Sequence, residues 1–266
     1  MPDVITKYRG ETVTLATSRA FATVRGIPPG FNAVDLHAPS ATLENILVSF
    51  GPRIGKVYFY DASVPSWTDV TAAALDRNTA TTFPLSVMQT ADRLYVGTAS
   101  RAEGVSINVT GTNGAGTATT AADYPLLGTW TALSITDGTF STRTLAQDGL
   151  YTWTQPTTTW DYDKLVNVAD ESLAAPNTER LYWFRLRPST ALTDTSITVA
   201  GVVALSHDTI NTATPPNEGQ DDALIRSNND TLPPFRFRLD MSRQGGVELV
   251  STSITSAANL TWLYLE

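Results

Sequence analysis

Apolar residues in this chain recur at every second position, and that spacing constrains the fold more than any other feature. A strand turns successive side chains to opposite faces, whereas a helix returns to one face every 3.6 residues. In "ETVTLAT" Val13 and Leu15 alternate with Thr12 and Thr14. "ENILVSF" groups Ile46, Val48 and Phe50, and "KVYFYDA" sets Val57 and Phe59 against Tyr58 and Tyr60. "GVSINVTG" sets Val105, Ile107 and Val109 against Ser106, Asn108 and Thr110. "GTWTALSITDG" sets Trp130, Ala132 and Ser134 against Leu133 and Ile135, and "GLYTWTQP" pairs Tyr151 with Trp153. "LYWFRLRPST" puts Tyr182, Phe184 and Leu186 on one face and Leu181, Trp183, Arg185 and Arg187 on the other. "TSITVAGVVAL" is apolar nearly throughout, the mark of a strand buried on both faces.

The punctuation agrees. "TNGAG", "TDGT" and "QDGL" carry Asn-Gly and Asp-Gly, which accept positive φ in turns. "RQGG" at 243–246 reads as one further hairpin. Helix is expected only as short turns near 69–77 and 165–174. The fold class is therefore all-β: antiparallel β-sandwich units of jelly-roll-like or immunoglobulin-like kind, with minimal helix and a C-terminal β-hairpin extension. "ADRLYVG" and "TERLYWF" resemble each other, as similar sandwich units would. Four regions follow: an N-terminal β region over 1–88, a central sandwich over 89–205, a polar linker or long loop over 206–234, and C-terminal strands over 235–266. The last of these, ending in "LTWLYLE", is apolar on both faces and must be covered by the core or by a neighbouring subunit.

Composition excludes several function classes. Net charge is −8 and pI about 4.8, which argues against nucleic acid as a partner. No apolar run approaches a membrane span, and "MPDVITKYRG" has neither n-region nor h-region, so neither membrane nor signal peptide is expected. With no cysteine there is no disulfide and no thiolate chemistry. Threonine is the commonest residue, and the three lysines are Lys7, Lys56 and Lys164. Such a weakly charged, β-branched surface suits exposed strand faces and tolerates packing against copies of itself.

Residues with chemical capacity are few. "SHD" at 206–208 holds the residue types of a serine-hydrolase triad, but triad members converge from separate elements. Two histidines, His37 and His207, are too few for a histidine zinc site. The carboxylates Asp161 and Asp163 beside Trp160, and the cluster Glu218, Asp221 and Asp222, match no calcium loop. "TGTNGAGTATT" lacks the order of a phosphate cradle. No catalytic residue, metal ligand or cofactor is expected. Among the six tryptophans, Trp160 in the Thr-rich "PTTTWDYD" is the candidate for stacking on a sugar.

The runs "LYVGTASRAEGVSINVTGTNGAG", "GTWTALSITDGT", "TLAQDGLYTWTQP" and "LYWFRLRPSTALTDTSITV" together resemble a module of tailed-bacteriophage structural proteins, over about residues 91 to 202. "GGVELVSTSITSAANLTWLYLE" also resembles the last strands of phage capsid-associated proteins, more distantly. The resemblance implies a β-rich virion component and carries no active-site residues. It implies assembly in the bacterial cytoplasm and residence in the virion, with a head decoration (cement) protein as first expectation. A tail, neck or baseplate component is the alternative within the virion, and a carbohydrate-binding host-attachment module the alternative outside that class. The expected partners are further copies of the chain in a symmetric oligomer, a trimer first, and the major capsid protein or other virion proteins. Expected subunit contacts are Arg185 and Arg187, Arg236 and Arg238 in "PFRFRLDM", and Trp262 and Tyr264 in the last strand.

Overall fold

A computed structural model describes residues 8–15, 21–25, 33–37, 44–76, 80–156, 159–205, 222–227, 235–238, 244–253 and 258–265, with side chains over 52–76, 80–156 and 159–205. The chain is all-β and antiparallel, and divides into two compact units. One is formed by residues 1–51 with 206–266, the other by Pro52–Leu205.

The first unit opens with β1 (Tyr8–Leu15), β2 (Phe21–Arg25), β3 (Ala33–His37) and β4 (Glu44–Pro52). The second is built of β5 (Ile54–Asp61), β6 (Ser66–Asp69), α1 (Thr71–Leu75), β7 (Phe83–Pro84), β8 (Arg93–Thr98), β9 (Gly104–Gly111), β10 (Thr120–Leu126), β11 (Thr129–Leu133), β12 (Ile135–Asp137), β13 (Gly149–Trp153), β14 (Tyr162–Asp163), α2 (Leu165–Val168), β15 (Leu181–Pro188) and β16 (Thr198–Leu205). The chain then returns to the first unit with β17 (Asp222–Ser227), β18 (Phe235–Arg238), β19 (Gln244–Ser253) and β20 (Ala258–Leu265).

The unit spanning 52–205 is a sandwich. One sheet runs β11-β10-β15-β8-β5-β6, with β14 extending the β10 edge of β15. The other runs β12-β13-β9-β16-β7. The alternating residues of the first sheet, Val57, Leu94, Val96, Phe184 and Leu186, meet Val105, Ile107, Val109, Tyr151 and Trp153 of the second in one buried core. Trp153 and Phe184 touch edge to face across it, centroids 5.1 Å apart. In β16 Val199 through Leu205 are buried without a break, as its apolar run requires. The two similar phrases form β8 and β15, adjacent strands of one sheet with Val96 opposite Phe184.

Both helices fall where expected and are single turns. The expected boundary at residue 88 falls instead at Gly51/Pro52, because β5 and β6 complete the sheet that contains β8. The other end of that unit falls at Leu205/Ser206.

The first unit holds two four-stranded sheets, β1-β20-β3-β18 and β17-β4-β19-β2. Here two expectations are corrected. The span 206–234 is not all linker, since Asp222–Ser227 forms β17 against β4; the rest of it lies outside the described residues. Nor do the C-terminal strands form a hairpin extension. β18 and β20 each pair with β3, β20 also with β1, and β19 lies in the other sheet. Alternation identifies a strand but not its partner, and these partners come from the other end of the chain. β20 lies between β1 and β3, paired along both edges.

Candidate functional site

The outer face of the β11-to-β6 sheet carries a row of aromatic side chains. Tyr60 and Trp67 have ring centroids 4.8 Å apart, Trp67 and Tyr95 5.1 Å, Tyr95 and Trp130 5.5 Å. Trp183 stands beside them on β15, fully buried. Gly97 on β8 makes its room: a Cβ there would lie 2.8 Å from the Trp183 ring.

Residues 164–180 cross this row as a strap. Leu165 and Val168 of α2 are buried against it. The polar tip of nearly every aromatic in the row is spent on the strap or on β14 just before it. Trp130 Nε1 donates to Val168 O at 2.8 Å, Trp67 Nε1 to Leu173 O at 3.0 Å, and Trp183 Nε1 to Asp163 O at 2.9 Å. Tyr95 donates its hydroxyl to Glu171 Oε1 at 2.5 Å, and the hydroxyls of Tyr60 and Ser172 lie 2.8 Å apart. Burying Leu165 and Val168 alone contributes about 3–6 kcal/mol. Four hydrogen bonds to the strap, of ~1 kcal/mol each, add to that. The strap is therefore a fixed layer of the fold, not a lid.

Arg185 pins it. Its side chain is 8% exposed and its guanidinium lies 4.3 Å from the Trp130 ring centroid. Nε donates to Asp123 Oδ2 at 3.1 Å, and Nη1 to Asp170 Oδ1 at 2.5 Å and to the Tyr95 hydroxyl at 3.3 Å. Glu171 lies 3.6 Å away. Arg187 shares Asp123 at 3.2 Å, and Arg93 approaches Glu171 at 3.8 Å. Three arginines thus face three carboxylates. Burial opposes the charge on Arg185, but Tyr95 and Asp170 prevail and hold it above its ordinary range. Burial, with Glu171 beside it, pushes the Tyr95 hydroxyl up.

This geometry corrects the expectation for Arg185, whose carboxylates belong to its own chain. Arg187 has the same internal partner and is about one third exposed. Trp160 is corrected more sharply: it is 1% exposed, packs against Tyr124 and donates from Nε1 to Trp183 O at 2.8 Å. Its neighbour Asp161 accepts from the Leu127 and Gly128 N–H groups at the β10–β11 turn, at 3.1 and 2.8 Å. Asp163 accepts from the Lys164 N–H and the Asn167 amide, which hold its carboxyl below the usual range. Arg236, Arg238, Trp262, Tyr264, His37 and Asp222 lie on strands whose side chains are outside the described residues. His207, Glu218 and Asp221 lie outside them altogether. Asp123, Asp170, Glu171, Tyr95 and Trp130 were missed by sequence reasoning. The alternation of "TWTAL" did place Trp130 on a face, but no pattern joins it or Tyr95 to acids in "VADES".

A second feature lies at the far end of β10. A pocket with about 330 Å³ of space, its mouth included, opens between the sheets and is lined by Leu85, Met88, Leu145, Leu186 and Leu192. Tyr151 also lines it, and its buried hydroxyl lies 2.7 Å from that of Thr144 and 2.9 Å from that of Thr139. Burial pushes that phenol up as well.

No protein-family model matches the chain, and no curated protein matches it.

Proposed function

We propose that this chain is a non-enzymatic structural protein of a tailed-phage virion, assembled in the bacterial cytoplasm, and that it decorates the head. The observation that supports this reading is where the phage-like phrases fall. Residues 91–202 lie within one sandwich, where Tyr95, Trp130 and Arg185 are spent on holding its own strap. A building block repeated over a particle needs such internal rigidity. The burial of Trp160 removes the sugar-stacking platform on which the host-attachment alternative rested.

Purified protein mixed with purified heads and tails, then sedimented, tests the proposal. It should pellet with heads and be shed as salt rises if its contacts are charged. Pelleting with tails alone would move the assignment to the tail. Recovery with neither particle would overturn the virion reading.

A further inference from the structure

The strand pairings of the first unit follow one rule. Its strands come from two stretches, 1–51 and 206–266, that flank the sandwich in sequence. In one sheet the order β1-β20-β3-β18 alternates between the two stretches, and in the other β17-β4-β19-β2 does the same. Every neighbour therefore comes from the other stretch: β1 and β3 meet β20, β3 meets β18, β4 meets β17 and β2 meets β19. Among the described residues, neither stretch holds two strands that pair with each other. A strand gains its ladder only from a neighbour, so neither stretch starts a sheet alone.

The sandwich is the opposite case. All strands of its two sheets lie between Ile54 and Leu205, and so do the residues of its core. It also holds the two points where the chain enters and leaves. The Ala99 N–H donates to Arg53 O at 2.8 Å, and the Glu103 N–H donates to Leu205 O at 2.8 Å. Ala99 and Glu103 are the two ends of the link from β8 to β9. Four residue steps separate them and span at most about 14 Å. One short link thus holds together the entry and exit of a stretch of about 150 residues.

We propose that the sandwich folds first and is the clamp on which the unit built from the two flanking stretches assembles. β4 ends at Pro52 and β5 begins at Ile54, so β4 leaves the sandwich directly. Its partner β17 begins at Asp222, with about 16 residues between it and the end of β16. With the sandwich unfolded, pairing Ser49 with Asp222 closes a loop of about 170 residues. With the sandwich folded, about 16 remain to be closed. The probability of closure falls as about the 3/2 power of loop length, so the folded sandwich favours this pairing by about thirtyfold.

Refolding of the full chain from denaturant, sampled by pulsed hydrogen exchange and mass spectrometry, tests the order. Amides of β5, β8, β9, β15 and β16 should gain protection before those of β1, β3, β4 and β17 to β20. Protection of both units together, or of the flanking stretches first, overturns the proposal. Two variants test the direction of dependence. Val48→Pro removes a donor from β4, which is paired along both edges, so the first unit should lose protection while the sandwich gains its own at an unchanged rate. Loss of the sandwich's protection in that variant would show that it does not fold by itself, and the clamp would be wrong. Phe184→Asp puts a charge where a fully buried ring packs the sandwich, and the flanking strands should then pair about thirtyfold more slowly or not at all. Pairing at the wild-type rate would mean that they need no clamp.

Discussion

Replacing Arg185 by methionine removes the charge that pins the strap while keeping much of the side chain's bulk. In the wild type the guanidinium answers Asp123, whose side chain is 7% exposed, and lies near Glu171, at 11%. Stripping one partner from a buried ion pair costs about 3–5 kcal/mol, because the other charge is left in a poor solvent. Arg187 still reaches Asp123 at 3.2 Å and Arg93 lies 3.8 Å from Glu171, so neither carboxylate is left bare. The lower end, roughly 3 kcal/mol, is therefore expected. For a unit of this size, each kcal/mol shifts the midpoint by about 2–4 °C, so the melting temperature should fall by about 6–12 °C. Arg187→Met is the control: its side chain is 34% exposed, and its pair should be worth at most about 1 kcal/mol. The assay is thermal melting followed by near-ultraviolet circular dichroism. Trp67, Trp130, Trp153, Trp160 and Trp183 all lie in the sandwich and report on it. Arg185→Met melting with the wild type, or Arg187→Met costing more than Arg185→Met, would refute the pinned strap.

Three further outcomes follow from the same geometry. Trp160→Ala should cost about 3–5 kcal/mol in a denaturant titration, as for any tryptophan lost from a packed core, and a change below ~1 kcal/mol would put Trp160 at the surface. Stability should be level near neutrality and fall at both extremes of pH. Asp194, held low by the Ser196 hydroxyl and the N–H groups of Ser196 and Gly114, and Asp163, held low by Lys164 N–H and Asn167, stabilise the fold above the unfolded carboxylate range; that contribution is lost as pH drops below about 4. Tyr95 and Tyr151 are held above their ordinary range, so their contribution is full below about pH 10 and is lost as pH rises beyond it. A melting temperature that is flat from pH 3 to 11 would contradict both assignments. Deleting residues 260–266 removes most of β20, which joins β1 to β3 through paired edges, and should leave the protein insoluble; a soluble truncation with an unchanged melting temperature would show the strand to be dispensable.

Alternation made the strands legible wherever one face meets the core, as with Val105, Ile107 and Val109, or Phe184 and Leu186. It was silent on partners, so the strands flanking "RQGG" were read as a hairpin when β18 and β19 lie in different sheets. Trp160 was misjudged for a related reason. Its threonine-rich neighbours suggested an exposed loop, but an indole 23 residues before Trp183 in sequence can lie against that residue's carbonyl, and local composition cannot reveal it. The Arg185 group was half legible. The alternation set Arg185 beside Trp183 on the outer face, yet its carboxylates come from β10 and from the strap. The turn at Leu127 carried no signal at all, because a leucine there violates the preference by which such turns are recognised.

A count of copies per virion tests most directly the proposal that this chain is a repeated structural part of a phage particle. Quantitative mass spectrometry of purified virions should find it in hundreds of copies, in fixed ratio to the major capsid protein. A handful of copies would place it in the baseplate or a fibre, and its absence from purified virions would contradict the account.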